Sequence, residues 1–160
     1  MSRQRLVGYA STWSTLTRWE FSERHFLLSQ ADGSTGPYFR RKQPGALDGV
    51  LARKAAVPLL IDHDRGRRIT TLRAGENWGV DQHGVWLDVV LPETVLGYEA
   101  AELVRSGRYR AASTAYDIGA ERLTREGGRP VYLVTRLDTL RDICIATVGR
   151  DPKAAVRLID

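Results

Sequence analysis

Cysteine is almost missing from this chain: Cys144 is the single one among 160 residues. That excludes an internal disulfide framework and a cysteine-rich zinc site. Long apolar runs are missing too. The longest, Ala55 to Ile61 with Pro58 inside it, spans seven residues, far short of the ~20 a membrane helix needs. No run following Arg3 and Arg5 is long enough for a secretory signal. Repeats, low-complexity tracts and Pro/Gly/Ser linkers are absent as well, so nothing in the sequence divides residues 1–160 into more than one domain. The expectation is one soluble, intracellular domain without a membrane partner.

What is present is a mixed, globular composition: 42% hydrophobic and 27% charged. Lys and Arg total 24 against 19 acids, a formal charge of +5. Such a balance raises nucleic acid as a partner. The basic residues are scattered, however, apart from Arg40-Arg41-Lys42 and Arg65, Arg67 and Arg68. No basic stripe is interleaved with aromatics, so specific nucleic-acid binding is not expected. An acidic protein partner accounts for the charge equally well.

Short segments of period-two patterning dominate the chain. Leu6 to Thr12 reads as a strand, residues 13–43 as irregular with a loop at 31–37, and Pro44 as the opener of a helical stretch from Gly45 to Ala55. Val57 to Asp62 reads as a buried strand ending at His63. Ile69 to Ala74 and Val85 to Leu91 read as paired strands joined through the turn at Asp81 to Gly84. Glu93 to Ser106 is the clearest helix, with an apolar stripe of Leu96, Ala100, Leu103 and Val104 and a C-terminal Gly107. Strands are expected at Tyr109 to Ile118, Ala120 to Thr124, Val131 to Leu137 and Leu140 to Val148, with a hairpin connection at Arg125 to Pro130 and a terminal helix from Pro152. The fold class is α+β and β-rich, most simply a small barrel rimmed by helices.

Three histidines are present, His25, His63 and His83. His63 stands apart because an apolar strand delivers it to an edge flanked by Asp62, Asp64 and Gly66. It reads either as a satisfied structural residue or as a general base. Ser113, mid-strand among alanines, reads as tight sheet packing or as a nucleophile with room for a substrate. A serine nucleophile needs a base, and the base an orienting group. Asp62 and Asp64 adjoin His63 on an extended chain and point away from it. Asp117 lies four residues from Ser113, roughly 13 Å along a strand. Asp142 interrupts an otherwise apolar or small-residue strand, so it must find a donor, either an arginine or the histidine. Asp62-His63-Asp64 offers adjacent rather than convergent ligands, so no metal is expected. Gly127-Gly128 joins strands and makes no phosphate loop, so no cofactor is expected.

In order along the chain stand Gly8-Tyr9-Ala10-Ser11, Pro44-Gly45-Ala46-Leu47, Pro58-Leu59-Leu60 with His63-Asp64, and Gly84-Val85-Trp86. After Gly107 come Ala111-Ala112-Ser113-Thr114-Ala115-Tyr116 and then Leu140 through Val148, closing on Asp151-Pro152. This succession resembles the prohead serine proteases of tailed bacteriophages, related in fold to the herpesvirus maturation protease. The resemblance implies a closed β-barrel surrounded by helices. It implies Ser113 as nucleophile, His63 as base, Asp142 as third member, and an oxyanion loop at Gly149 and Arg150. It implies, as partners, the major capsid protein and its scaffold region, cleaved inside the assembling prohead in the host cytoplasm, with self-association as a further expectation. Two departures stand out: Ala111 and Ala115 replace glycines near the nucleophile, and the 13–43 region is longer than usual. The rival functions are an inactive relative that binds scaffold as a structural module and a basic nucleic-acid-binding domain.

Overall fold

Alternating apolar residues make strands wherever one face can be buried, and here they dominate. The computed structural model describes residues 3–19 and 38–160. In chain order the elements are β1 (Arg5–Thr12), β2 (Thr17–Trp19), β3 (Tyr38–Lys42), α1 (Asp48–Ala52), β4 (Ala56–Ile61), β5 (Asp64–Arg73) and β6 (Trp78–Val80). There follow β7 (Gly84–Val90), α2 (Val95–Arg105), β8 (Ala111–Glu126), β9 (Arg129–Ala146) and β10 (Val156–Ile159). The expected loop at 31–37, and His25, lie outside the described residues.

The strands form two sheets. One has the order β10-β1-β7-β6, and the other β2-β3-β9-β4-β5 with β8 added along β9. β9 is the spine of the second sheet. β8 lines one edge along its whole length, while β3 and β4 run parallel to opposite ends of the other edge. The core takes Leu6, Val85 and Leu87 from the first sheet, Leu59, Ile61, Ile143 and Ile145 from the second, and Ala100, Ala101 and Val104 from α2. Helix α2 is set by its ends. Thr94 Oγ1 accepts from Gly97 N–H at 3.1 Å, and Gly107, at φ +74°, turns the chain away after Ser106.

Several expectations are corrected. No closed barrel forms among the described strands, because β10, β6, β2 and β5 each end a sheet with one neighbour only. The stretch 69–74 does not pair with 85–91. Residues 69–73 belong to β5, a hairpin partner of β4, whereas β7 pairs with β6 and β1. The four expected strands between 109 and 148 are two long ones, and 13–19 and 38–43 contain strands rather than irregular chain. After Pro152 the chain enters strand β10 instead of a helix, since β1 offers an open edge for Val156, Arg157, Leu158 and Ile159. The helix expected at 45–55 contracts to α1.

Long strands hide in the sequence because bulges break their alternation. Ala115 faces Asp142 but its neighbour Tyr116 faces Leu140, so Arg141 is an extra residue in β9. Without that bulge, Leu140 and Asp142, two residues apart on a regular strand, would share a face. With it, Leu140 joins the core and Asp142 turns to the opposite side of the sheet.

Candidate active site

The face of the second sheet that turns away from the main core is small-featured where β8, β9 and β4 run side by side. Ser113 stands directly opposite Cys144, Ala115 opposite Asp142, and Leu60 beside Cys144. Paired residues point to one side, so Ser113 and Asp142 project from the same face. Leu60, Cys144 and Ala146 make a separate buried patch there.

His63 reaches this face through its turn. Ile61 pairs with Asp64, leaving Asp62 and His63 as a two-residue hairpin loop, both left-handed at φ 54° and 57°. Successive left-handed residues mark the tight turns that match strand twist, and Asp and His tolerate them better than branched residues do. Asp62 is held by the Tyr109 hydroxyl at 2.6 Å and by Arg67 at 3.4 Å, and Arg67 also reaches Glu99 of α2 at 2.6 Å. The turn carrying His63 is thereby tied to α2 and to the segment entering β8. The same hydrogen bond to Asp62 raises the Tyr109 phenol above its ordinary range.

Three side chains, 50 and 29 residues apart in sequence, meet in one line. His63 Nδ1 lies 2.5 Å from Asp142 Oδ1, and His63 Nε2 lies 3.1 Å from Ser113 Oγ. A carboxylate only accepts, so Nδ1–H is the donor; Nε2 then accepts from the Ser113 hydroxyl. Asp142 is buried at 6% exposure, while the imidazole remains partly open to solvent. A carboxylate shielded from water, whose one side-chain hydrogen bond among the described residues is to an imidazole, fixes both ring tautomer and ring orientation. Of the two readings of Asp142, the arginine partner is not what the structure holds.

Beneath this line sits Cys144, fully buried, its thiol pushed up to about 12 by burial. It stays a neutral thiol, a packing surface rather than a competing nucleophile. The other acids are engaged elsewhere. Asp64 accepts from Gly66 N–H at 2.8 Å, and Asp117 accepts from the Thr139 hydroxyl and lies 3.5 Å from Arg141. His83 sits in the β6–β7 turn with its N–H on Asp81 and its ring edge-on to Tyr9.

Gly149 and Arg150 lie in the connection from β9 to β10, which runs along the start of β8. Ala112 N–H donates to Ala154 O at 3.2 Å, and Ala111 bridges to Ala155. A Cβ on Gly149 would sit 2.6 Å from Ala112 O, so only glycine lets this loop press against the residue before Ser113. Arg150 lines a cavity of about 110 Å³ together with His63, Ser113, Ala112, Ser11 and Lys42. Lys42 was read in the sequence only as part of a basic cluster. The one signal for a different role is its position at the end of a strand two residues before Pro44.

Over residues 2–160 the sequence matches the family described as caudovirus prohead serine protease. The chain belongs to that family. Comparison with curated proteins finds no significant match. Among solved structures, the fold is similar to that of the KSHV protease, crystallised with a hexapeptide phosphonate inhibitor. The TM-score is 0.53 at 9% identity, covering 98% of this chain and 65% of the other. This prohead-protease chain thus spans about two thirds of the herpesvirus protein's length and shares its fold with very little sequence in common. Among the described residues, no helix is long and apolar enough to cross a membrane.

Proposed function

We propose that this member of the family is an active serine endopeptidase, a single protease domain over 1–160 with Ser113 as nucleophile. The observation that carries the proposal is the continuous hydrogen-bonded line from Ser113 through His63 to Asp142. Ser113 Oγ attacks the scissile carbonyl as His63 Nε2 takes its proton. The imidazolium so formed is stabilised by Asp142 and then returns the proton to the leaving amine. The Gly149–Arg150 backbone offers the oxyanion donors, a contribution of roughly 3–4 kcal/mol for one such group. Family membership supports capsid maturation as the setting. The substrate is then the scaffold region of the major capsid protein, or a separate scaffold, inside the assembling prohead in the host cytoplasm.

The alternative is an inactive relative serving as a scaffold-binding module, since a fold does not guarantee chemistry. A peptide phosphonate decides between them. The expected result is a covalent mass increase located at Ser113, and its loss in a folded Ser113→Ala variant. Cleavage of the capsid protein at an unchanged rate by Ser113→Ala would assign the nucleophile elsewhere.

A further inference from the structure

The cavity beside Ser113 has a charged floor. Besides Tyr116 and His63, much of its lining is small: Ala10, Ser11, Ala112, Thr114 and Thr17 leave room for a short side chain. Lys42 enters from β3, half-buried, its ammonium 2.8 Å from Ser11 Oγ and 4.6 Å from the centre of the Tyr116 ring. An ammonium carries three donors, and among the described residues Ser11 is its one hydrogen-bond acceptor.

Asp151, which also lines the cavity, offsets one of its cations but gives Lys42 no hydrogen bond. Asp151 is occupied by three donors: Thr12 N–H at 2.6 Å, Thr12 Oγ1–H at 2.8 Å and Lys153 N–H at 2.9 Å. Arg40 on β3 faces Glu121 of β8 at 3.2 Å, a pair that cancels itself. Arg150 adds a second cation to the lining. The cavity that Ser113 lines therefore also holds an ammonium with unused donors.

Resting on the protease reading above, we infer that Lys42 sets substrate specificity by receiving an acidic side chain, glutamate or aspartate, on the residue whose carbonyl Ser113 attacks. The acyl side is chosen because Arg150, from the loop carrying the oxyanion donors, lines the same cavity, whereas the leaving amine departs toward His63. A carboxylate of that length completes the hydrogen bonding of Lys42 and converts a desolvated lone charge into a pair. Burial lowers Lys42 to about 8, against the partial compensation of Asp151 and with further lowering by Arg40. The unliganded ammonium is thus poorly stabilised where it stands.

The test uses four peptide phosphonates identical except for a glutamate-, glutamine-, alanine- or lysine-like side chain at the reactive position, and reads the rate of Ser113 labelling. The wild-type protein should label with the glutamate probe at least tenfold faster than with the glutamine or lysine probe. Lys42→Met should abolish that preference, the glutamate and glutamine probes then labelling at the same rate. Should Lys42→Met fail to fold, the wild type answers by pH. Lys42 is charged below about 8 and neutral above it, so the glutamate-over-alanine ratio must fall between pH 7 and 9.5. Equal rates for all four probes, a preference for lysine, or a glutamate preference retained in Lys42→Met overturns this inference and leaves the protease reading standing. Labelling by none of the four overturns the protease reading, and this inference with it.

Discussion

The β8–β9 hairpin has two halves of opposite character. Near the site, Ala111–Ala115 run in regular register against Asp142–Ala146, with small side chains and one buried carboxylate. Toward the hairpin tip, Glu121–Glu126 against Arg129–Val134 is held by charges. Arg40 pairs with Glu121 at 6% and 9% side-chain exposure, and Arg41 pairs with Glu126. Between the halves the register shifts four times from Ala115 to Glu121. Bulges interrupt a ladder and absorb local distortion. The two halves of one hairpin are therefore separable: one presents chemistry, the other anchors β3 to the sheet.

The comparison breaks if a change in one half is felt in the other. The largest effect belongs to the site half. Asp142→Asn should lower peptide cleavage about 10⁴-fold, because an amide permits the wrong histidine tautomer, with thermal unfolding little changed. Turnover and a melting curve on the same preparation check this. Next comes the anchoring half. Arg40→Met breaks the buried ion pair with Glu121 and should cost about 3–5 kcal/mol in denaturant titrations, while Arg40→Met with Glu121→Leu should recover most of it. Labelling of Ser113 by the alanine-type phosphonate should stay constant in both variants. A fall in labelling parallel to the stability loss would show that the bulges do not insulate the site. The smallest effect is expected at Asp117→Asn, on the shifting stretch and exposed. Stability should move by no more than ~0.5 kcal/mol, with cleavage unaffected. A large activity loss there would give Asp117 a role that its Thr139 and Arg141 partners do not suggest.

The same contrast explains what the sequence discloses. Helix α2 was legible because its cap, stripe and terminal glycine agree with one another. His63 was legible as a strand-end histidine, and Asp142 as an acid too deep in an apolar strand to lack a donor. Their convergence came from the ordered family landmarks, since no local pattern shows which strands lie side by side. β8 and β9 were each read as two strands because every bulge resets the alternation that identifies a strand. The bulge at Arg141 is also what turns Asp142 away from the core. The closed barrel was expected from the resemblance. The two sheets instead stop at β10, β6, β2 and β5, and strand closure leaves no trace in residue patterning. Lys42 stayed hidden for a plainer reason: beside Arg40 and Arg41 it looked like one more solvated charge.

The parallel alignment of β4 with β9, Ile61 against Ile145, bears on when the molecule can first act. The strand that leads into His63 leaves the ribosome early and can pair with β5, yet its other edge has no partner until residue 145 has followed it out. Asp142 reaches His63 across 79 positions and Ser113 across 50. Contacts so distant in sequence form late, after the intervening chain has been ordered. On the proposed reading, a growing or truncated polypeptide carries its nucleophile without the base and acid aligned to it. Topology alone then keeps the peptidase silent through its own synthesis.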